Sequence, residues 1–536
     1  MRLWRGEKQI TLIDETLYAI APAVHPAPLL AHANRPYTES MPGFYIEHFG
    51  CRAARADGEA LTGRLRAAGL REQPPTEADV VIVNTCSVTA EADRAARAFV
   101  RRSHRLNPAA RIVVTGCYAQ RAPEELAALA GVAAVVGNSH KALAPEIALR
   151  LATGRPAATP AAPELVPVTA LLAANAPASV PARRPNDQGP SLGVPVWVDE
   201  QFAHSFIEDA QLLPGTQTRP NLKIQEGCGN RCTFCVIPST RGPSKSLPRA
   251  VILKQVEEFV AAGGNELVLS GINLGRWGRD LPAAGSAPRL TLAGLVREII
   301  ERTALARLRL SSIEPMDWDE EMIALLREFG GNRPAAGQPS PSSSGGRLAR
   351  HAHLPLQSGS DAVLRRMHRR YRPWHYVEKV RALFAAAGPD LTLGADVMVG
   401  FPGETDREFE ETVEFVRALP FGYLHLFPFS PRPGTPGWAL HAESPVAPQA
   451  VEERMAALRA LAAQKSCAHR MNFVGRELEA ITLHTPDALS ARGRTAALTE
   501  NFLPLELNGQ WPANRLVRVL LTGLNGEGAL KGRVAA

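Results

Sequence analysis

The chain has 536 residues with 45% hydrophobic and 21% charged side chains, a balance typical of a soluble globular protein, and its length predicts about three domains. The net charge of +7 is compatible with a polyanionic partner such as RNA. The odd number of cysteines, seven, argues against a disulfide framework, and no apolar run is long enough to span a membrane. Clustered thiols favour a reducing compartment, so we expect a cytoplasmic protein without a membrane partner.

Residues 1–42 precede the first predicted strand. The apolar-rich stretch 17–33 superficially resembles a signal peptide, but Asp14 and Glu15 precede it and prolines interrupt it. A signal peptide has a basic start and a continuous apolar core, so we reject this interpretation. We expect residues 1–42 to form a disordered extension.

Residues 43–145 alternate strand-like and helix-like patterns, which predicts a parallel sheet with helices on its faces. Three of the predicted strands are each followed by a cysteine, namely Cys51, Cys86 and Cys117. The carboxyl ends of parallel strands meet at one edge of a sheet, so these thiols can converge there. A free cysteine is often simply a small buried residue. Three cysteines in equivalent positions nevertheless favour a set of ligands for a metal cluster.

Residues 146–215 are rich in alanine and proline and are predicted to form a linker. Over residues 216–469 the alternation resumes with six strand–helix units, which predicts a partial (β/α)6 barrel. The Gly/Pro/Ser-rich stretch 330–346 is predicted to be a surface insertion. In such barrels the chemistry gathers at the carboxyl ends of the strands. We therefore expect the functional residues of this region in the loops that follow its strands.

The loop after the first of these strands carries Cys228, Cys232 and Cys235, spaced C-x3-C-x2-C. Cysteine thiolates are the usual ligands of iron–sulfur clusters, and three of them can hold three corners of a cubane cluster. The fourth iron is then open to a substrate or cofactor. A structural zinc site fits less well, because such sites normally have four ligands in paired motifs.

Other strand ends of this region carry glycine, carboxylate and amide residues. These suit a small polar cofactor, although glycine, asparagine and serine are also ordinary turn residues. The segment 364–374 is the densest basic stretch and has interleaved aromatic residues, which suits RNA and a solvated helix face about equally. Its position just after a loop at the expected active edge favours contact with RNA. Residues 470–536 hold five short alternating strands, which predicts a small antiparallel barrel of OB-like type.

The cysteine loop, with Phe234 directly before Cys235, resembles the signature of radical S-adenosylmethionine (SAM) enzymes. The longer string 227–242 resembles the methylthiotransferase branch of these enzymes, and the resemblance covers residues 43–536. It implies an α/β protein in three parts. These are an N-terminal methylthiotransferase domain with a parallel sheet (43–145), a radical SAM core (216–469) and a TRAM domain that binds RNA (470–536).

The resemblance also implies the cofactors, which are SAM and two [4Fe-4S] clusters. One cluster lies on Cys228, Cys232 and Cys235, where SAM is cleaved to give a radical. An auxiliary cluster lies on the other three cysteines and delivers the sulfur. The residues implied as SAM contacts are Phe234, Gly271, Asn273, Glu314 and Gln357.

The substrate also follows from resemblance. Strings at 224–235, 272–275, 310–315 and 427–436 look most like the branch that acts on N6-threonylcarbamoyladenosine at position 37 of tRNA. We therefore expect methylthiolation at carbon 2 of this nucleoside, with the tRNA anticodon loop and a reductant of flavodoxin or ferredoxin type as partners. The alternatives are isopentenyladenosine in tRNA, an aspartate of a ribosomal protein, or a non-enzymatic iron–sulfur protein that binds RNA.

Overall fold

The computed structural model describes residues 41–154, 178–180, 193–202, 207, 212, 219–282, 289–331, 346–526 and 528–535. The predicted extension 1–42 and the predicted insertion 330–346 lie almost entirely outside these residues. None of the helices in the described ranges is long and apolar enough to cross a membrane.

The N-terminal domain is built on a sheet whose described strands have the order β2-β1-β3-β4-β5-β7-β6. The strands β1 to β5 are parallel, as the alternating pattern predicted. Val81 and Val83 pack into one hydrophobic core and Val80 and Ile82 into another, so helices cover both faces. The strands are Gly43–His48 (β1), Arg71–Glu72 (β2), Val80–Thr85 (β3), Arg111–Gly116 (β4), Val132–Gly137 (β5), Ala178–Val180 (β6) and Val194–Trp197 (β7).

Part of the predicted linker, residues 146–215, belongs to this sheet. The strand β7 pairs in parallel with β5 and antiparallel with β6. The sequence pattern missed both strands because they have only four and three residues and lie among alanines and prolines. The N-terminal sheet therefore extends past residue 145.

The central region of the chain, which we call the core, has six parallel strands, as predicted, in two adjoining sheets. The first has the order β11-β10-β8-β9 and the second β12-β13-β14, and one hydrophobic core packs behind both. An isolated bridge from Leu308 to Leu348 lies where the sheets meet. The six strands are Asn221–Glu226 (β8), Glu266–Gly271 (β10), Arg307–Leu310 (β11), His351–His353 (β12), Thr392–Val399 (β13) and Phe421–Pro428 (β14), and the short Lys245–Ser246 (β9) is antiparallel to β8.

Helices connect these strands, and their ends follow from local signals. Thr405 and Glu408 form a capping box at the start of the helix Asp406–Ala418. Two helices lie between residues 360 and 388, and Pro373 begins the second one. The described helices are Arg52–Ala67 (α1), Ala90–Leu106 (α2), Cys117–Arg121 (α3), Pro123–Ala127 (α4), Ala144–Thr153 (α5), Ile237–Arg241 (α6), Arg249–Ala261 (α7), Leu292–Arg302 (α8), Glu320–Phe329 (α9), Asp361–Arg366 (α10), Pro373–Ala387 (α11), Asp406–Ala418 (α12), Pro436–Glu443 (α13), Pro448–Met471 (α14) and Asp487–Ser490 (α15).

The C-terminal strands close into a barrel of order β15-β16-β17-β19-β18, which confirms the prediction of a small five-stranded barrel. The prediction that all its pairs are antiparallel was wrong for one pair, since β17 and β19 run parallel. Its interior is filled by leucine, valine and alanine side chains. The strands are Glu477–Thr482 (β15), Arg494–Thr499 (β16), Pro504–Asn508 (β17), Leu516–Leu524 (β18) and Leu530–Val534 (β19).

Buried arginines attach this barrel to the amino ends of the core strands. Arg307 donates to Glu266 at 3.1 Å and also pairs with Glu479 of β15. Arg309 donates to Glu266 at 3.0 Å and to the carbonyl oxygen of Thr499 at 3.3 Å. The barrel therefore lies at the opposite end of the core strands from the cysteine loop that follows β8.

Candidate functional site

The structure brings Cys51, Cys86 and Cys117, which we call the N-terminal trio, to one edge of the first sheet. They follow the adjacent parallel strands β1, β3 and β4. Cys86 and Cys117 are each only 2% exposed. A hydrogen bond with the Cys86 thiol, together with the charge of Arg241, lowers the pKa of Cys51 to about 5. The same hydrogen bond and burial raise the pKa of Cys86. The hydrogen bond from Cys86 and the charge of Arg241 therefore favour the thiolate form of Cys51.

The backbone before Cys51 approaches Cys86 closely. Gly50 has a φ of +98°, and a Cβ at this position would overlap the Cβ and Sγ of Cys86. Glycine is the residue that adopts this conformation without strain and leaves space for the thiol.

We expect Gly50→Ala to lower the free energy of unfolding by about 1–3 kcal/mol, because it adds backbone strain and displaces Cys86. Gly63→Ala is the matched control, since the added Cβ in α1 meets no atom within 4 Å. This second change should stabilise the helix by about 0.5–1 kcal/mol. Urea unfolding of the three proteins measures both effects, and an unchanged midpoint for Gly50→Ala would contradict the close approach.

A buried set of charged side chains lies behind Cys117 and joins the N-terminal domain to the core. Its members, which we call the ionic network, are Asp57, Lys141, Lys223, Glu226 and Arg241. Arg241 donates to Glu226 at 2.6 Å and to Asp57 at 3.1 Å. Lys141 donates to Glu226 at 2.8 Å and to Asp57 at 3.0 Å, and Lys223 pairs with the same two carboxylates.

The ionic network has three cations and two carboxylates, so its five side chains together carry a net charge of about +1 when all are ionised. Burial opposes ionisation of Glu226, but the three cations outweigh it and hold its pKa well below its usual range. The Arg241 guanidinium also donates through Nε to the sulfur of Cys117 at 3.2 Å, and Asn138 Nδ2 lies 3.4 Å from the same sulfur. This surplus charge suits an anionic group such as three metal-bound thiolates.

The second trio, Cys228, Cys232 and Cys235, lies in the loop after β8, and we call it the loop trio. Backbone N–H groups of Asn230 and Ile237 donate to the sulfurs of Cys228 and Cys235, each at 3.4 Å. Burial raises the pKa of Cys235 to about 12, so its thiolate needs a bound cation. Backbone donors around thiolates of high pKa are a setting that suits an iron–sulfur cluster.

Two side chains complete this setting. Arg369 Nη1 donates to the sulfur of Cys232 at 3.3 Å. Nη2 of the same guanidinium donates to the two carboxylate oxygens of Glu314 at 2.6 and 2.7 Å. Asn273 Nδ2 lies 3.5 Å from the sulfur of Cys228. Both residues are buried, so their donors keep these orientations.

One cavity of about 590 Å³ extends between the two trios. Cys51 of the N-terminal trio and Cys235 of the loop trio both line it. The volume is in the range of sites for small ligands. A ligand in this cavity can therefore approach both groups of thiols.

The cavity also collects most of the predicted SAM contacts. Phe234, Gly271, Glu314 and Gln357 line it. Asn273 lies behind the wall, where its backbone N–H donates to Gln225 Oε1 at 2.6 Å. Gln357 has a φ of +66°, an uncommon conformation for a residue other than glycine, and such positions cluster at functional sites.

Sequence reasoning missed several residues of the site. The ionic network was missed because its members come from positions far apart in the chain. His353 and His425, which line the cavity beside Asp396, were also missed. Side chains alternate between the two faces of a strand, and only this alternation could have indicated that both histidines point into the predicted (β/α)6 barrel.

The basic segment 364–374 is largely engaged within the protein. Arg365 pairs with Asp361, Arg366 with Glu408, and Arg370 with Asp317. Arg369 pairs with Glu314 and donates to Cys232 of the loop trio. Trp374 is half exposed. Contact of this segment with RNA stays a prediction.

Residues 43–137 match the Uncharacterized protein family UPF0004, and residues 222–416 match the Radical SAM superfamily. Threonylcarbamoyladenosine tRNA methylthiotransferase MtaB of Bacillus subtilis is 32% identical over 464 residues, which are 86% of this chain and 89% of that protein. MtaB of Aquifex aeolicus is 32% identical, over 89% of this chain and 99% of its own. A tRNA-2-methylthio-N(6)-dimethylallyladenosine synthase of Parafrankia sp. is also 32% identical, over 91% of this chain and 85% of its own.

Proposed function

The chain belongs to the radical SAM methylthiotransferase family, as its motifs predicted, and from this premise we propose that it methylthiolates carbon 2 of N6-threonylcarbamoyladenosine in tRNA. Membership of this enzyme family excludes the alternative of a non-enzymatic iron–sulfur protein that binds RNA. The observation that carries the proposal is the single cavity that reaches both cysteine trios. A reaction that needs a radical and a sulfur atom at one carbon requires both sources beside the same substrate.

Membership of the radical SAM family implies one [4Fe-4S] cluster and SAM. We assign this cluster to the loop trio and a second one to the N-terminal trio. When bound, these groups supply a radical derived from SAM and a sulfur atom for transfer. The surplus positive charge of the ionic network beside Cys117 supports the second assignment.

The protein's own residues hold and orient these groups. Arg369 fixes Cys232 and Glu314 together, and Asn273 donates toward Cys228. We assign five residues to SAM binding, namely Phe234, Gly271, Asn273, Glu314 and Gln357. All of them except Asn273 line the cavity. A one-electron donor of flavodoxin or ferredoxin type completes the reaction.

We assign the anticodon loop to the cavity and the C-terminal barrel to a neighbouring part of the tRNA. The barrel lies at the amino ends of the core strands and the cavity at their carboxyl ends. Strands of six to eight residues are about 20–27 Å long. An RNA that contacts both sites must therefore reach along the side of the core.

A second candidate substrate is isopentenyladenosine, which is also called N6-dimethylallyladenosine. A relative named for that nucleoside has the same identity, 32%, as the two MtaB proteins. A polar group on one wall of this cavity, formed by His353, Asp396 and His425, favours the threonylcarbamoyl nucleoside.

Mass spectrometry of tRNA nucleosides tests the proposal. A bacterial strain that lacks its threonylcarbamoyladenosine methylthiotransferase is complemented with this chain. We expect the methylthio form of threonylcarbamoyladenosine to return, and a variant with Cys232→Ala to restore none. Methylthiolation of the dimethylallyl nucleoside alone, in a strain that lacks both enzymes, would contradict the substrate assignment.

A further inference from the structure

Three polar side chains form a group on the wall of the cavity, on the last three core strands. His425 Nδ1 lies 3.2 Å from Asp396 Oδ1, and His353 Nε2 lies 3.4 Å from the same oxygen. Asp396 and His425 are register partners in the parallel pair β13–β14, and His353 comes from β12. We call these residues the His–Asp–His group.

The His–Asp–His group lines the cavity in which we place the substrate. All three residues line the cavity that Cys51 and Cys235 share. His425 is mostly exposed there, whereas His353 is 7% exposed. The strands therefore present a polar wall to whatever lies between the two trios.

The hydrogen-bonding capacity of this wall is not used up within the described part of the protein. Burial opposes ionisation of Asp396, but the two imidazoles outweigh it and hold its pKa below its usual range. His353 Nδ1 has no hydrogen-bond partner among the described residues, and Nε2 faces Asp396 at 3.4 Å without the geometry of a normal hydrogen bond. A buried polar atom without a partner costs about 1–3 kcal/mol, so this wall favours a ligand that supplies polar atoms.

We propose that the His–Asp–His group binds the polar substituent on N6 of the substrate adenosine through its carbamoyl and carboxylate atoms. This inference rests on the proposed function and assigns substrate selection to particular side chains. A doubly protonated imidazole donates the N–H that faces away from Asp396 to a carbonyl or carboxylate oxygen, whereas a neutral ring that donates to Asp396 accepts the carbamoyl N–H through its other nitrogen. An apolar dimethylallyl substituent would leave these polar atoms without partners, and such sites discriminate strongly against it.

Binding of two RNA hairpins to the reconstituted holoenzyme tests this assignment. Both hairpins have the same anticodon stem and loop, and the modified adenosine carries either threonylcarbamoyl or dimethylallyl. Fluorescence anisotropy gives the two Kd values and their ratio. We expect the wild type to prefer the threonylcarbamoyl hairpin.

His425→Phe keeps an aromatic ring but removes its polar atoms, and we expect it to reduce this preference about tenfold. His425→Gln keeps a polar amide and should retain most of the preference. An equal loss of affinity for both hairpins would overturn the proposal, because the group would then serve SAM or the general RNA contact. An unchanged preference in His425→Phe would overturn it as well.

Two further results would distinguish substrate binding by this group from a metal site and from a different substrate. The three ligand atoms lie within 4.8 Å of one another, a spacing that a divalent cation could bridge. Stoichiometric zinc in the wild type that is lost in His425→Phe would overturn the proposal in favour of a metal site. A wild type that prefers the dimethylallyl hairpin would overturn the proposed function itself, and the inference with it.

Discussion

Cys232→Ala is expected to abolish formation of 5′-deoxyadenosine from SAM, whereas Cys117→Ala is expected to keep this reaction and to lose methylthiolation. The two residues belong to different trios, which meet at one cavity but have separate surroundings. Cys232 receives a hydrogen bond from Arg369, and Cys117 receives one from Arg241. The loss of one trio therefore leaves the other intact.

Anaerobic assays of the reconstituted proteins measure both products. The wild type should contain about eight iron atoms and each variant about four, since each trio holds one four-iron cluster. Cys467→Ala is the matched control, because this exposed cysteine on α14 lies outside both trios. It should retain the iron content and both activities of the wild type.

Two results would contradict the assignment of separate roles. One is a wild type with about four iron atoms, which would remove the second cluster. The other is loss of 5′-deoxyadenosine in Cys117→Ala with its iron content halved, which would mean that the N-terminal trio takes part in SAM cleavage.

The sequence predicted those parts of the site that depend on short spacing or on strand ends. The loop trio lies within eight residues, so its pattern is visible without any fold. The N-terminal trio is dispersed, but Cys51, Cys86 and Cys117 each follow a strand of a parallel sheet, and the edge rule brings them together. The six core strands and the five-stranded barrel were predicted for the same reason, since hydrophobic periodicity is a local signal.

The remaining parts depend on pairings between distant residues. Asp57 and Glu226 share Arg241 although 169 positions separate the two carboxylates. Charged residues are normally on the surface, so composition alone would assign all five members of the ionic network to solvent. The shared cavity was also beyond prediction, because it requires the relative position of two domains. Buried charges and domain contacts are therefore what the structure adds.

Glu226→Gln is expected to lower the free energy of unfolding by about 3–5 kcal/mol, because removal of one partner leaves buried charges uncompensated. In this variant three cations would face the single carboxylate of Asp57. Glu226 is 1% exposed, so water cannot screen them. Glu328→Gln is the matched control, since its exposed pair with Arg297 should contribute far less. Urea unfolding of the full chain measures both changes.

The pH dependence of this deficit follows from the ionisation of Glu226. Burial works against the charged form, but Arg241, Lys141 and Lys223 hold its pKa well below the usual range. A carboxyl with a depressed pKa stabilises the folded state fully above its unfolded pKa of about 4.3 and loses this contribution as the pH falls below that value. The difference between wild type and Glu226→Gln should therefore be largest near neutral pH and shrink in acid.

A double variant separates lost charge balance from lost packing. Lys223→Met removes one cation, so together with Glu226→Gln it restores the charge surplus of the wild type, with two cations and one carboxylate. We expect the pair to recover part of the stability that Glu226→Gln loses. A double variant no more stable than Glu226→Gln would contradict the balance argument. Because Arg241 links Glu226 to Cys117, Glu226→Gln should also lower the iron content at the N-terminal trio, and the double variant should regain part of that iron.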